Sequence, residues 1–282
     1  MNARGLFALF ALTALGCGNA DPSLGIEPGS DSPGEQPAYA ELHSELTNGA
    51  SDYYHCFVLG NCSSPSLTGS TRCISGRDYE TSVRARTSEV VVLSFHGGLI
   101  EPLSSELARA VSDHFGYSSY DFSAHGSASC LGTLTDFERF HITATNFDDP
   151  KAVALVARHK KALSIHGYSP DRGNSRGTIC VGGSNAAQVQ AFIASVKQNR
   201  SRFSLYTLRA VDAATATPVA GADCSGIVGN ARANLVNRTA DLDGGLQLEM
   251  SNEIKADLLS SESRYSSLRS VFYGAIGAAM SQ

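Results

Sequence analysis

The sequence carries no surplus of positive charge. Its 22 Lys and Arg are outnumbered by 27 Asp and Glu, for a formal net charge of −5 over 282 residues. Nucleic acid generally demands a basic face, so no nucleic-acid partner is expected. Nor is there an apolar run of the ~20 residues that a membrane-spanning helix needs. The G-x-S-x-G elbow that presents a serine nucleophile is missing, which argues against a serine hydrolase. No C-x-x-C pair occurs, so a zinc site built from cysteines has little support. There is no internal repeat of the kind that marks a solenoid.

What is present begins with an export signal. Arg4 precedes an apolar run from Leu6 to Leu15, followed by small residues, the build of a secretory signal peptide. Ala14-Leu15-Gly16-Cys17 resembles the bacterial lipobox, with Ala where Leu is usual. In that motif the Cys receives lipid and becomes the new N-terminus. Residues 1–17 are therefore read as a lipoprotein-type signal peptide, with simple cleavage after Ala20 as the competing reading. The expected location is outside the cytoplasm: held at a membrane only through lipid on Cys17, periplasmic or on the cell surface, or secreted. Residues 18–50 are rich in Gly, Ser, Pro, Asp and Glu and read as a disordered tether. Residues 51–282 read as one globular domain. Beyond Cys17 stand six cysteines: Cys56, Cys62, Cys73, Cys130, Cys180 and Cys224. An even count in an exported chain reads as up to three disulfides, with a local bridge expected in the Cys56/Cys62/Cys73 cluster.

Within the globular part, strand and helix patterns alternate. "YETSVRAR" and "EVVVLSF" are separated by Thr87-Ser88 and suggest a hairpin. "EPLSSELARAVSDHF" is helical, with a Ser cap, and "DDPKAVALVARHKK" is helical with an Asp cap and Pro150 in its first turn. "SSYDFSA", "RFHITA", "ALSIHG", "TICVGG" and "GGLQLEM" read as strands, and "NAAQVQAFIASVKQ" as a helix. "GIVGNARANLVNRT" is helix or turn, and residues 252–280 read as two helices. The alternation predicts an α/β fold, a three-layer α/β/α sandwich around a mixed, largely parallel sheet.

Polar residues recur at strand ends. His96 follows "EVVVLSF", His166 follows "ALSI", and Glu249 lies near the end of "GLQLE". Ligands of open α/β sheets bind outside the carboxyl ends of the strands. If these strands run parallel, groups 70 and 83 residues apart reach one rim. Neutral imidazole is the commonest metal ligand. Gly97 and Gly98 let the chain turn sharply, and Glu101 then returns as a carboxylate ligand. Two His and one carboxylate leave a position open, as in catalytic zinc sites. A carboxylate that is not a ligand must move a proton from water to the leaving nitrogen, and Glu249 suits that task. The bland readings are a satisfied core histidine for His96, a helix-dipole carboxylate for Glu101 and a surface strand residue for Glu249.

"SFHGGLIEPLSSELA", "FHITATNFDDP", "LSIHG", "ICVGG" and "GGLQLEMS" occur in that order. This succession resembles the phage and bacterial poly-γ-glutamate hydrolase family, which is similar in fold to zinc carboxypeptidases. The resemblance covers about Tyr79 to Ser251. It implies zinc as cofactor, held by His96, Glu101 and His166, with Glu249 as catalytic residue. It implies hydrolysis of γ-glutamyl amide bonds in a polyanionic polymer or peptide. Phe95 stands where the family pattern has Pro, Leu103 where it has Gly, and Met250 where it has Leu. Leu103 is expected to narrow the mouth of the pocket. His141 and Thr143 resemble a family motif near the site, and His141 is a candidate substrate contact. Asn237 and Arg238 resemble the family's segment before the catalytic strand, where the Arg238 fork suits a substrate carboxylate. Arg172 and Arg176 flank a loop after His166, where solvated charge is the ordinary reading. The rival functions are a carboxypeptidase-like peptidase or amidase for cell-wall peptides or N-acyl amino acids, and a non-catalytic binding module on the same fold.

Overall fold

The computed structural model describes residues 75–125, 135–169, 172–214, 222–241 and 244–282. The signal peptide, Cys17, the tether and four cysteines (Cys56, Cys62, Cys73 and Cys130) lie outside the described residues. The strands are β1 (Tyr79–Arg84), β2 (Val90–Gly98), β3 (Ser118–Ala124), β4 (Lys161–Gly167), β5 (Thr178–Gly182), β6 (Arg209–Asp212) and β7 (Leu246–Met250). The helices are α1 (Ser104–Phe115), α2 (Asp136–Phe140), α3 (Pro150–Val156), α4 (Ala186–Asn199), α5 (Asn252–Leu259) and α6 (Ser266–Met280). A short 3-10 turn spans Leu235–Asn237.

The seven strands form one mixed sheet in the order β1-β3-β2-β4-β7-β5-β6. The centre, β3-β2-β4-β7, is parallel throughout, as is β5 with β6. The pairs β1–β3 and β5–β7 are antiparallel. Alternation in β2 divides the core. Val90 and Val92 join Leu107, Phe192 and Phe272 from α1, α4 and α6 on one face. Val91, Leu93 and Phe95 join Phe140, Phe147 and Leu155 on the other. Both faces are covered, which explains the unbroken apolar runs of the central strands. The α/β architecture and mixed sheet agree with the sequence reading.

Some local expectations fail. Residues 79–84 and 90–98 make no hairpin, since β1 pairs with β3 and not with β2. β1 is half exposed and suits an edge, whereas β2 is buried along nearly its whole length and takes a parallel partner on each side. "RFHITA" is not a strand: α2 ends at Phe140, and Ile142 N donates to Phe140 O in a tight turn. Buried Phe140 and Ile142 gave it a period of two without any strand partner. α1 has no serine cap; its N-cap is Leu103 at φ 69°, ψ 1°. α3 stops at Val156, earlier than the pattern implied, and the short strand β6 carried no clear signal. Asp149 does cap α3, accepting from Lys151 N at 2.9 Å.

Candidate metal centre

β2, β4 and β7 are neighbours that run in one direction, so their carboxyl ends share a rim. A bulge between Ser94 and Gly97 breaks the β2–β3 register. The extra residue allows Phe95 and His96 both to reach the α2 side. Phe95 stacks on Phe147 in the core, and His96 Nε2 donates to the carbonyl of Ile142 at 2.7 Å. Gly97 is obligatory, because a Cβ there would fall 1.7 Å from Ser105 Oγ and 2.9 Å from Phe122 O. Below it, Ser105 and Ser123 both bind the buried carboxylate of Asp121. The turn closes through Glu101 N and His96 O at 2.8 Å, and this brings the Glu101 side chain back over the imidazole.

The result is a cluster of acceptors. His96 Nδ1 lies 2.8 Å from Glu101 Oε1 and 3.1 Å from His166 Nδ1. His166 Nδ1 lies 3.4 Å from Glu101 Oε2. His141 Nε2 approaches Glu101 Oε1 to 3.3 Å. Gly167 N–H holds Glu101 Oε2 at 2.8 Å. Phe95 sets its ring edge against His166, with centroids 4.8 Å apart. His96, Glu101 and His166 are almost wholly buried, while the His141 side chain is 30% exposed and stands on the solvent side.

These residues fit a divalent cation. The Ile142 carbonyl can only accept, so His96 Nε2 carries a proton and Nδ1 is the atom turned toward Glu101 and His166. His166 Nε2 is buried without a hydrogen-bond partner. Ligands at 2.0–2.1 Å from a tetrahedral zinc stand about 3.3 Å apart, and the observed separations are 2.8, 3.1 and 3.4 Å. Burial would raise the proton affinity of Glu101, but His96 and His166 outweigh it and hold its carboxyl well below the ordinary range.

Glu249 stands beside this cluster, in register with His166 across the β4–β7 pair. Burial, and then the charge of Glu101, push its carboxyl well above the ordinary range; Arg172, Lys255 and Gln247 oppose the rise. Gln247 Nε2 donates to Glu249 Oε1 at 2.9 Å, and Asn234 Nδ2 holds Gln247 Oε1 at 2.9 Å. A cavity of about 550 Å³ opens above, lined by Glu101, His141, Tyr168, Arg172, Ile227 and Glu249 among others. Phe137, half exposed at its edge, stacks on His141 at 4.2 Å. His141 in turn lies 4.1 Å from the His96 ring.

Arg238 and Asn237 do not line this cavity. Arg238 donates to the carbonyls of Ala233 and Thr145, so its fork is spent on the backbone. Asn237 donates to Gly229 O and Ala231 O and accepts from Ser184 N and Gly245 N. It is a staple under β7. Leu103 does not line the cavity either; its departure from glycine is felt in the backbone, where it takes the left-handed conformation. Arg176 is paired bidentately with Asp257. Two residues escaped the sequence reading. Gln247 had a signal, since i and i+2 share a strand face with Glu249. Lys255 had none: it sits fully buried on α5, with Nζ 2.9 Å from Ser104 Oγ.

A sequence model of the family described as poly-gamma-glutamate hydrolase matches residues 70–274. UPF0714 protein YndL of Bacillus subtilis (strain 168) is 38% identical over 94 residues, 33% of this chain and 34% of that protein. The SPbeta prophage-derived UPF0714 protein YoqZ of the same organism is 30% identical over 171 residues, 61% of this chain and 52% of that protein. The chain thus spans about a third to a half of the length of these relatives. A bacteriophage poly-gamma-glutamate hydrolase structure aligns over 73% of this chain and 89% of that one, with TM-score 0.54 and 23% identity. A zinc-free apo structure of YndL aligns over 71% and 90%, with TM-score 0.51 and 22% identity. At these identities the two structures speak for the fold.

Proposed function

The chain belongs to the poly-gamma-glutamate hydrolase family, and from that membership we propose that it is an exported, zinc-dependent amidohydrolase of γ-glutamyl bonds. One observation carries the reading. Three acceptors, His96 Nδ1, His166 Nδ1 and the Glu101 carboxylate, converge on one point, beside a buried carboxyl whose proton affinity is raised. Zinc would be held by those three, with His141 on the open side. When bound, zinc supplies polarisation of a carbonyl and lowers the pKa of water to about 7.

The chain's own residues supply the rest. Gly167 N–H fixes one oxygen of Glu101, and Ile142 O fixes the tautomer of His96. Glu249 takes a proton from the attacking water. The water oxygen bonds to the amide carbonyl carbon, the C–N bond breaks, and Glu249 returns the proton to the departing nitrogen. Gln247 holds Glu249 Oε1 so that Oε2 is the oxygen left for this traffic. A proton affinity raised by burial and by Glu101 suits a group that must both accept and donate near neutral pH. The substrate is a polyanionic γ-glutamyl polymer or peptide. The Cys180–Cys224 disulfide is in keeping with an oxidising compartment, reached by secretion or by lipid anchoring at Cys17.

The test is metal analysis with a hydrolysis assay on poly-γ-glutamate. Glu249→Gln should keep its zinc and lose roughly 10²–10⁴-fold in kcat. Normal turnover by that variant, or purified wild type with neither bound zinc nor activity, overturns the assignment.

A further inference from the structure

Among the described residues, Arg172 is the one lysine or arginine that lines the cavity. Its Nη1 donates to Ser225 O at 2.8 Å. Nε and Nη2 make no hydrogen bond to the described residues. They form the side of the guanidinium that grips a carboxylate with two parallel bonds. The charge of Arg172 reaches Glu249 and, at the outer edge, Asp223.

Its position is imposed from a distance. Cys180 lies on β5, in register with Glu249, and is bridged to Cys224. The residues flanking Cys224 hold the loop that follows β4. Asn174 Nδ2 donates to Asp223 O at 2.9 Å, and Asp223 N donates back to Asn174 Oδ1. Arg172 binds Ser225 O, and Ser225 itself is tied by N and Oγ to the Asp223 carboxylate. The bridge is therefore the covalent end of a chain of contacts that terminates at Arg172.

We propose that Arg172 is the specificity determinant for the free carboxylate a γ-linked glutamyl unit carries beside its scissile bond, and that the Cys180–Cys224 bridge clamps it in place. The inference rests on the hydrolase reading and deepens it. An α-linked peptide has no free carboxylate at that position, whereas every γ-linked unit has one. The pocket carries two carboxylates of its own, Glu101 and Glu249, and Arg172 faces them from the cavity wall.

The experiment uses full-length, zinc-loaded protein with a γ-glutamyl oligomer and its α-methyl ester. Arg172→Met should raise KM for the free acid 10–100-fold and KM for the ester less than threefold, change kcat about equally on both, and leave the zinc content unchanged. Arg172→Lys should fall between, since it keeps the charge and loses the fork. Equal losses on acid and ester overturn the proposal. Reduction of the bridge, with thermal melting to show that the fold survives, should raise KM for the acid in wild type and do nothing further in Arg172→Met. Cys180→Ala/Cys224→Ala serves the same purpose if reduction unfolds the protein. An equal effect of bridge loss in both backgrounds removes the clamp. Glutarate binding by calorimetry separates the two readings. Binding that depends on Arg172 without any hydrolysis keeps the carboxylate site and sinks the hydrolase. Hydrolysis with KM and glutarate affinity both within twofold of wild type in Arg172→Met does the reverse.

Discussion

Lys255 is a buried cation, and replacing it should stabilise the fold at neutral pH. It is fully buried on α5 and, among the described residues, makes one side-chain hydrogen bond, to Ser104 Oγ at 2.9 Å. Burial pulls its pKa from 10.5 down to about 8, against the attraction of Glu101 and Glu249. That depression corresponds to about 3 kcal/mol of penalty for carrying the charge into the metal-free folded state. The sign follows from proton counts. Between pH 8 and 10.5 the unfolded chain still holds this proton while the folded chain has released it, so stability rises with pH across that window. Below pH 8 both states are charged and the penalty is present in full. Lys255→Met removes it but orphans Ser104, at a cost of about 1 kcal/mol. The variant should therefore be about 2 kcal/mol more stable at pH 7 and no more stable than wild type near pH 10.5. Chemical denaturation of chelator-treated wild type and variant at pH 7, 8.5 and 10 measures the difference. A variant less stable at pH 7, or a gap that does not close as pH rises, refutes the reasoning. The same charge helps keep Glu249 ionised, so the acid limb of kcat/KM for the zinc-loaded variant should move to higher pH. Stability would then have been given up for the site.

Two further outcomes are expected. Leu103→Gly relieves a side chain held at φ 69°; left-handed backbone costs a non-glycine residue about 1–2 kcal/mol, and the looser unfolded chain returns about half of that. A rise of about 1–4 °C in melting temperature is the expected reading, and a fall would show that the leucine side chain contributes more by packing than it costs in strain. Chelation should abolish hydrolysis and lower the melting temperature, because a ligand bound only to the folded state at 100 times its Kd adds about 2.7 kcal/mol. Restoring zinc should reverse both effects in wild type and neither in His166→Ala; metal-dependent stabilisation of that variant equal to wild type would remove His166 from the ligand set.

Much of the fold was legible because its central strands are chemically plain. β2, β4 and β7 are short apolar runs that end in His or Glu, and only a parallel sheet covered on both faces asks for that pattern. The failures came where two structures share one period. Phe140 and Ile142 alternate with polar neighbours as in a strand, yet one closes a helix and the other begins an irregular segment. β1 looked like the first arm of a hairpin because chain neighbours usually pair. Its true partner, β3, is decided by where β2 must lie to be buried on both sides. Local sequence holds no record of that competition.

The site divides along a different line. The convergence of His96, Glu101, His166 and Glu249 was readable, since they lie at or just beyond the ends of strands that a parallel sheet brings together. What orients them was not, because the partners are backbone atoms: Ile142 O on His96, Gly167 N on Glu101. Every residue has such atoms, so no residue type announces the role. The same ambiguity kept the arginines apart from their roles in the sequence. Arg238 and Arg172 carry identical forks, and each stands near a motif. One is consumed by the carbonyls of Ala233 and Thr145, while the other gives a single N–H to Ser225 O and turns its remaining edge to the cavity. A guanidinium is free to recognise a substrate only after its backbone claims have been counted, and those claims are settled by tertiary structure.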